Sequence, residues 1–428
     1  MKIAIAGTSY VGLVTAVCLA HHGHDVTCVD TDEKKIAIMK TKRSPIYEEG
    51  LEELMHMHAD RLSYTTNYQE AYQNKDVIFI GVGTPEKKDG SANLEYVFQV
   101  ADQISKSINK DTLVVVKSTV PIGTNDQVEQ AIQAQISGKY RVEVASNPEF
   151  LAQGTAVRDT LHGDRIVIGV ESEWAKQILQ EVYQNFEVPV LAMNRRSAEM
   201  VKYASNDFLA LKISYVNEIA NLCESLGADI TDVTKGMGMD SRIGNKFLQA
   251  GIGYGGSCFP KDTKALHWLS VINGVELKTV KAAIEVNERQ KIRLFEKAKQ
   301  QVGSFKNKKV AILGLTFKPN TDDLRDAPSL ENVSLLLDEG AIIKAYDPVG
   351  VENFKKHYPT ELTYCESISD ALQDADLCFI FTEWKEIKEM DQMLFVNCMK
   401  QPLVFDGRNC FKVEEMKKSG IAYSSIGR

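Results

Sequence analysis

The stretch Lys2–Asp30, KIAIAGTSYVGLVTAVCLAHHGHDVTCVD, decides the fold. A short apolar run, Lys2–Ala6, passes through Gly7-Thr8-Ser9-Tyr10-Val11-Gly12 into a helical pattern that reaches His22 and is closed by Gly23. A second apolar run, Asp25–Val29, ends on Asp30. Strand, glycine turn, helix, strand and acid make one βαβ unit with a dinucleotide fingerprint. In this reading the pyrophosphate lies on the helix N-terminus, at Tyr10 and Val11 between Gly7 and Gly12. Asp30 accepts hydrogen bonds from the adenosine ribose and repels a 2′-phosphate, so NAD is expected rather than NADP. Ser9 stands where the fingerprint has its middle glycine, and its Cβ is expected to crowd the pyrophosphate. The nearby His21, His22 and His24 read as solvated surface.

Outward from that unit, apolar runs alternate with helical patterns. Asp76–Val82 ends at Gly83-Thr84-Pro85, Thr112–Lys117 at Ser118-Thr119-Val120-Pro121, and Val142–Ser146 at Asn147-Pro148-Glu149-Phe150; Arg165–Val170 is a further run. Open α/β sheets bind ligands beyond the carboxyl ends of their strands. Turn chemistry accounts for the prolines and glycines there. Glu149, a strand-end carboxylate near a dinucleotide, is a candidate base. From Ser197 a helix-compatible stretch runs to about Leu226, before Gly227, a rod of roughly 45 Å at 1.5 Å per residue. Such a helix bridges domains or packs on its twin in a dimer. Lys202 and Asn206 lie one turn apart on it and share a face.

Gly251–Asp262, GIGYGGSCFPKD, is the second informative stretch. Its glycines permit close approach of a ligand to the backbone, and Pro260 suits the start of a helix that Gly274 stops. Cys258 then sits just ahead of a helix N-terminus and beside Lys261. Dipole and ammonium both favour thiolate over thiol, which makes Cys258 a candidate nucleophile rather than an inert core cysteine. Leu277–Val302 is helical and leads to a break at Gly303–Lys308. The strand pattern then restarts at Lys309–Leu313, Ala341–Tyr346, Leu377–Phe381 and Leu403–Phe405. The turn at Gly314-Leu315-Thr316-Phe317-Lys318 lacks the dinucleotide glycines. This second Rossmann-type domain should hold another phosphate ligand, with Lys318, Arg325 and Arg408 as its cations. The expected fold class is α/β: two Rossmann-like domains, 1–196 and 303–428, joined by a long central helix and a small helical middle segment, 197–302.

Composition narrows the function. The chain has 428 residues, 44% hydrophobic and 25% charged, with a formal net charge of −8. That balance is ordinary for a soluble globular protein, and the net charge argues against a nucleic-acid partner. The eight cysteines show neither zinc spacing nor a disulfide framework, so no metal is expected. No apolar run has membrane length and MKIAIAGTSY lacks a signal-peptide core, so a cytoplasmic protein with no membrane partner is expected.

Across these motifs the chain resembles the nucleotide-sugar dehydrogenases of the UDP-glucose/GDP-mannose dehydrogenase family, and within it those acting on UDP-glucose. The resemblance rests on GTSYVGL at Gly7, GVGTP at Gly81, KSTVPIGT at Lys117, SNPEFLAQGTA at Ser146 and SAEMVKYASNDF at Ser197. It continues with DSRIGNKFLQAGIGYGGSCFPKD at Asp240, GLTFKPNTDDLRDAP at Gly314 and DGRN at Asp406. It implies oxidation of a sugar alcohol to a carboxylate in two NAD-dependent steps through a thiohemiacetal and a thioester on Cys258. Lys202, Asn206 and Asp262 match positions that stabilise the alkoxide and place water. Glu149 matches the general base of hydrolysis, with Thr119 beside it. Thr84, Thr119, Gln153, Lys35, Lys261 and Arg325 match cofactor contacts. Glu149, Phe150, Leu151, Lys202, Asn206, Phe247, Leu248, Gly251, Gly253, Lys318 and Arg408 match substrate contacts. Arg242 matches an arginine that reaches into the neighbouring subunit, which implies a homodimer with a shared active site. Gln153 replaces a common glutamate and cannot take a proton. Sister enzymes for GDP-mannose or UDP-N-acetylmannosamine are the nearest alternatives. A non-catalytic nucleotide-sugar sensor is a third reading, but the cysteine, lysine and base are all retained.

Overall fold

The computed structural model describes residues Met1–Arg428. They fall into two compact units, Met1–Ser205 and Asn206–Arg428. The first is built on β1 (Lys2–Ala6), β2 (Asp25–Val29), β3 (Leu62–Thr65), β4 (Val77–Ile80), β5 (Thr112–Val116), β6 (Val142–Ser146), β7 (Ile166–Gly169) and β8 (Val190–Met193). These form one sheet in the order β3-β2-β1-β4-β5-β6-β7-β8. β1 to β6 run parallel in the doubly wound order. β7 meets β6 antiparallel at Ser146 and Gly169, and β8 follows β7 in parallel.

The central strands β1, β4 and β5 are apolar almost end to end because helices cover both faces of the sheet. The helix α1 (Tyr10–His21) is buried without interruption from Gly12 to Ala20, so it has no polar face to show in sequence. It can sit this close to β1 because residue 12 is glycine: a Cβ there would stand 1.9 Å from the Gly7 carbonyl oxygen. His24, expected at the surface, is buried instead. Its Nε2 lies 2.9 Å from the Val182 carbonyl oxygen, a bond that satisfies an imidazole in the core.

The second unit carries β9 (Lys309–Leu313), β10 (Ile342–Tyr346), β11 (Leu362–Tyr364), β12 (Leu377–Ile380), β13 (Leu403–Asp406) and β14 (Ala422–Ser425). Their order, β11-β10-β9-β12-β13-β14, repeats that of β1 to β6, and every pair is parallel. The long helix α2 (Arg195–Leu226) runs through the boundary of the two units. It starts where the Asn194 side chain accepts the Ser197 amide at 2.8 Å and ends at Gly227, whose φ of 71° stops the helix. Two further helices follow, α3 (Phe259–Ile272) and α4 (Lys278–Lys291). No helix is long and apolar enough to cross a membrane. None of the eight cysteines is in a disulfide.

Candidate active site

In the first unit, the glycine turn and Asp30 form one hydrogen-bonded device. Asp30 Oδ2 accepts the Thr8 amide at 2.9 Å and the Thr8 hydroxyl at 2.6 Å, and Oδ1 accepts the Asp32 amide at 3.0 Å. Burial opposes ionisation, but these bonds and nearby Lys35 hold the carboxyl below its ordinary range. A carboxylate has lone pairs beyond those three, which remain for ribose hydroxyls. Ser9 has φ −72° and ψ −171°, extended backbone that needs no glycine. Its hydroxyl turns toward the Gly81 carbonyl, 3.4 Å away. α1 has no acid in its first turn and no side-chain cap, so its terminal dipole is left for an anion. Val11 is half-buried, and the Tyr10 hydroxyl bonds the Tyr47 carbonyl at 3.0 Å and accepts the Gly154 amide at 3.1 Å, next to Gln153. The Thr84 hydroxyl donates to the Thr119 carbonyl at 2.9 Å, tying the ends of β4 and β5.

Beyond β6, Lys202 Nζ meets Glu149 Oε1 at 2.9 Å with side chains only 3% and 6% exposed. Glu149 Oε2 accepts the Leu151 amide at 2.9 Å. The Phe150 ring carries the Arg165 guanidinium at 3.8 Å and the Lys202 ammonium at 5.6 Å. Three residues given no role in the sequence, Lys117, Asn147 and Tyr183, complete the cluster. Lys117 Nζ donates to Asn147 Oδ1 at 3.0 Å, and the Tyr183 hydroxyl donates to the same oxygen at 2.5 Å. Burial pushes the Lys117 ammonium down to about 8, helped by the charge of Lys202 and opposed by Glu149. Lys117 and Asn147 stand at strand ends inside the motifs quoted above, which was the signal available; Tyr183, at the end of a helix, lies outside them.

In the second unit the glycine loop ahead of Cys258 is gripped from several sides. Asn217 of α2 accepts the Gly251 amide at 2.9 Å, and Gln290 of α4 donates to the Gly251 carbonyl at 2.7 Å. Asn287 of α4 accepts the Tyr254 amide at 2.8 Å and donates to the Tyr254 carbonyl at 3.0 Å. Arg408 donates to the Gly253 carbonyl at 3.0 Å, the Phe317 carbonyl at 3.0 Å and the Phe381 carbonyl at 2.9 Å. The glycines answer to these protein neighbours. A Cβ on Gly253 would lie 2.7 Å from Asn287 Oδ1, and one on Gly255 would lie 2.3 Å from the Asp326 carbonyl oxygen. Phe247, at φ 62°, is held in left-handed backbone beside buried Leu248, with its ring 6.3 Å from that of Phe259.

Cys258 is the N-cap residue of α3, and Pro260 occupies the first turn. Lys261 gives its ammonium to Asp262 Oδ1 at 2.5 Å, while Asn206 donates to Asp262 Oδ2 at 2.6 Å. Arg325, held bidentate by Asp323, adds positive charge within electrostatic reach of the Cys258 sulfur. Lys318 lies 5.6 Å from the centre of the Phe317 ring. Arg242 is not brought to this cluster: its guanidinium binds Asp240 and is 88% exposed. The acid ending β10, Asp347, is unlike Asp30. Its Oδ2 accepts Leu315 and Trp384 N–H groups at 2.7 and 3.0 Å, and its Oδ1 accepts Val349 and Gly350 amides at 2.9 and 2.6 Å. With 4% of its surface exposed, it has no capacity left for a ribose.

Comparison with known proteins gives this geometry a family. Residues 1–187 match the UDP-glucose/GDP-mannose dehydrogenase family NAD binding domain, 196–289 its central domain and 311–413 its UDP binding domain. The chain belongs to the UDP-glucose/GDP-mannose dehydrogenase family. It is 48% identical to UDP-glucose 6-dehydrogenase YwqF of Bacillus subtilis (strain 168) over 100% of this chain and 98% of that one. It is 46% identical to UDP-glucose 6-dehydrogenase TuaD of the same organism, over 100% and 93%. A solved UDP-glucose dehydrogenase from the hyperthermophilic archaeon Pyrobaculum islandicum superposes with TM-score 0.92 at 38% identity, covering 99% of this chain and 96% of that one. The cofactor is NAD, and the cradle of Gly7, Gly12 and Asp30 fits it: small residues where the chain turns, an open helix terminus and a half-buried carboxylate.

Asn287 is 1% exposed and holds both polar groups of the Tyr254 backbone. Asn287→Ala should therefore destabilise the protein by about 2–5 kcal/mol, since a buried donor and a buried acceptor lose their partner together. Urea unfolding of the full chain measures it. A loss below about 0.5 kcal/mol would mean that the loop does not depend on this clamp.

Proposed function

We propose that the protein oxidises the primary alcohol of UDP-glucose to the carboxylate of UDP-glucuronate, with two NAD reduced per sugar. The observation that carries this reading is Cys258 at the N-cap of α3, in a chain similar end to end to proteins named UDP-glucose 6-dehydrogenase. Bound NAD supplies the hydride acceptor for each oxidation. Lys202 and Asn206, one turn apart on α2, stabilise negative charge on the reacting oxygen, and Asp262 orients the Asn206 amide. The Cys258 thiolate, favoured by the helix dipole, adds to the aldehyde carbon; a C–S bond forms and the oxygen takes a proton. Loss of hydride from that carbon and of the proton from its oxygen leaves a thioester. Water then adds as Glu149 takes its proton, the C–S bond breaks, and the carboxylate leaves. Gln153 cannot accept that proton, which puts the hydrolytic role on Glu149.

The same reading divides the chain into an NAD-binding domain (1–196), a central domain carrying the cysteine (197–302) and a UDP-sugar domain (303–428). It also makes the protein a cytoplasmic homodimer. Along α2 the residues Phe208, Tyr215 and Leu222 recur at heptad spacing and are exposed, an apolar stripe suited to a second copy. Arg242, exposed and held in this chain by Asp240, would exchange that partner to complete the neighbouring subunit's site.

In an NAD assay, each UDP-glucose consumed should yield two NADH, while GDP-mannose and UDP-N-acetylmannosamine should give kcat/KM at least about tenfold lower. Cys258→Ala should form no acid. Acid production by that variant at the parent rate would overturn the covalent route, and a better sister sugar would move the specificity.

Mixing Arg242→Ala with Cys258→Ala under subunit exchange should restore activity. One site of each mixed dimer then has both an intact cysteine and an intact arginine, so about half of the mixed sites recover. A dead mixture with exchange verified would assign Arg242 to its own chain.

A further inference from the structure

One carboxyl next to this chemistry has no role in the mechanism above. Asp207 follows Asn206 on α2, is only 5% exposed, and neither of its side-chain oxygens has a hydrogen-bond partner. A buried ionised carboxylate without donors is costly, and in practice such a group takes up a proton. The charged group that faces it is Asp262, on α3, which is 1% exposed. The two acids differ in what they are given. Asp262 accepts from Asn206 at 2.6 Å and from Lys261 at 2.5 Å, and it lies in the first turn of α3, where the helix dipole favours negative charge. Asp207 receives none of this. Tyr254, from the glycine loop, also faces Asp207; burial is the main reason its phenol is pushed up to about 12. Lys261, the nearby cation on α3, has its ammonium on Asp262 Oδ1.

We propose that Asp207 is a positioning residue: it and Asp262 form a carboxyl pair that holds one proton, carried by Asp207, which leaves Asp262 as the anion that orients Asn206 and Lys261. Like charges confined in one dry site do not both ionise, and the unsupported member keeps the proton. Burial first, and the Asp262 charge second, push the Asp207 carboxyl up to about 8. When that proton is lost, a second negative charge appears beside Asp262, where an oxyanion must later be stabilised. The alkaline side of the reaction is thereby tied to a residue that touches no substrate. The catalytic half of this inference rests on the function proposed above; the proton itself does not.

Two measurements on Asp207→Asn, a neutral isostere, test it. The folded-state pKa is raised above the unfolded one, so stability falls as pH rises between the unfolded value, about 3.9, and about 8. The thermal midpoint of Asp207→Asn should thus exceed the parent's by a gap that widens from pH 5 to pH 8 and then levels. A gap independent of pH overturns the proton assigned to Asp207, and this readout needs no substrate. In pH profiles of kcat/KM for UDP-glucose, the parent should lose activity through a group near pH 8 and Asp207→Asn should lack that break. A widening midpoint gap beside superimposable profiles would overturn the link to catalysis.

Discussion

The active region depends on a loop that cannot hold itself. Gly251–Gly256 makes no regular structure, and its buried backbone groups must find partners or lose them at a cost of about 1–3 kcal/mol each. Asn217, Gln290 and Asn287 provide them from α2 and α4, and Arg408 adds a bond from the end of β13. The loop ends at Cys258, so these amide side chains fix where the sulfur stands. The loop must be rich in glycine because its neighbours lie so near: Asn287 and Asp326 occupy the volume that side chains at positions 253 and 255 would need. Packing and catalytic placement are one constraint here.

Charge is arranged on the same principle in both units. Each buried carboxylate that serves the proposed chemistry is given donors, as Glu149 is by Lys202 and Leu151, and Asp262 by Asn206 and Lys261. Asp207, buried without such support, moves toward its neutral form, and burial pushes Lys117 the same way despite its bond to Asn147. The two Rossmann sheets show the contrast at their second strands. Asp30 keeps capacity for a ligand, whereas Asp347 spends its own on the turns that follow β9 and β10 and on the Trp384 indole after β12.

The first thirty residues displayed their fold because parallel strands buried on both faces are continuous apolar runs. The strands that no apolar run announced are β3, β8, β11 and β14, and these are the four edges of the two sheets. An edge strand is half-solvated, so LSYT or AYSS carries little pattern. Among the site residues, Cys258, Glu149 and Lys202 could be singled out from helix starts, strand ends and shared helix faces. Their partners could not. Lys261, close to the cysteine in sequence, also holds Asp262, and Arg325 adds positive charge near the sulfur from a distant segment. Asp207 was invisible for a related reason. Nothing in a helical sequence states that one polar residue beside Asn206 is sealed from water without a donor.

The central claim is a covalent path through Cys258 released by Glu149. Intact-protein mass spectrometry of Glu149→Gln, incubated with UDP-glucose and NAD, tests it most directly. The account predicts a mass increase equal to the acylating UDP-sugar, lost when Cys258→Ala is added to the same chain. An unmodified mass, together with UDP-glucuronate formed at the parent rate, would contradict it.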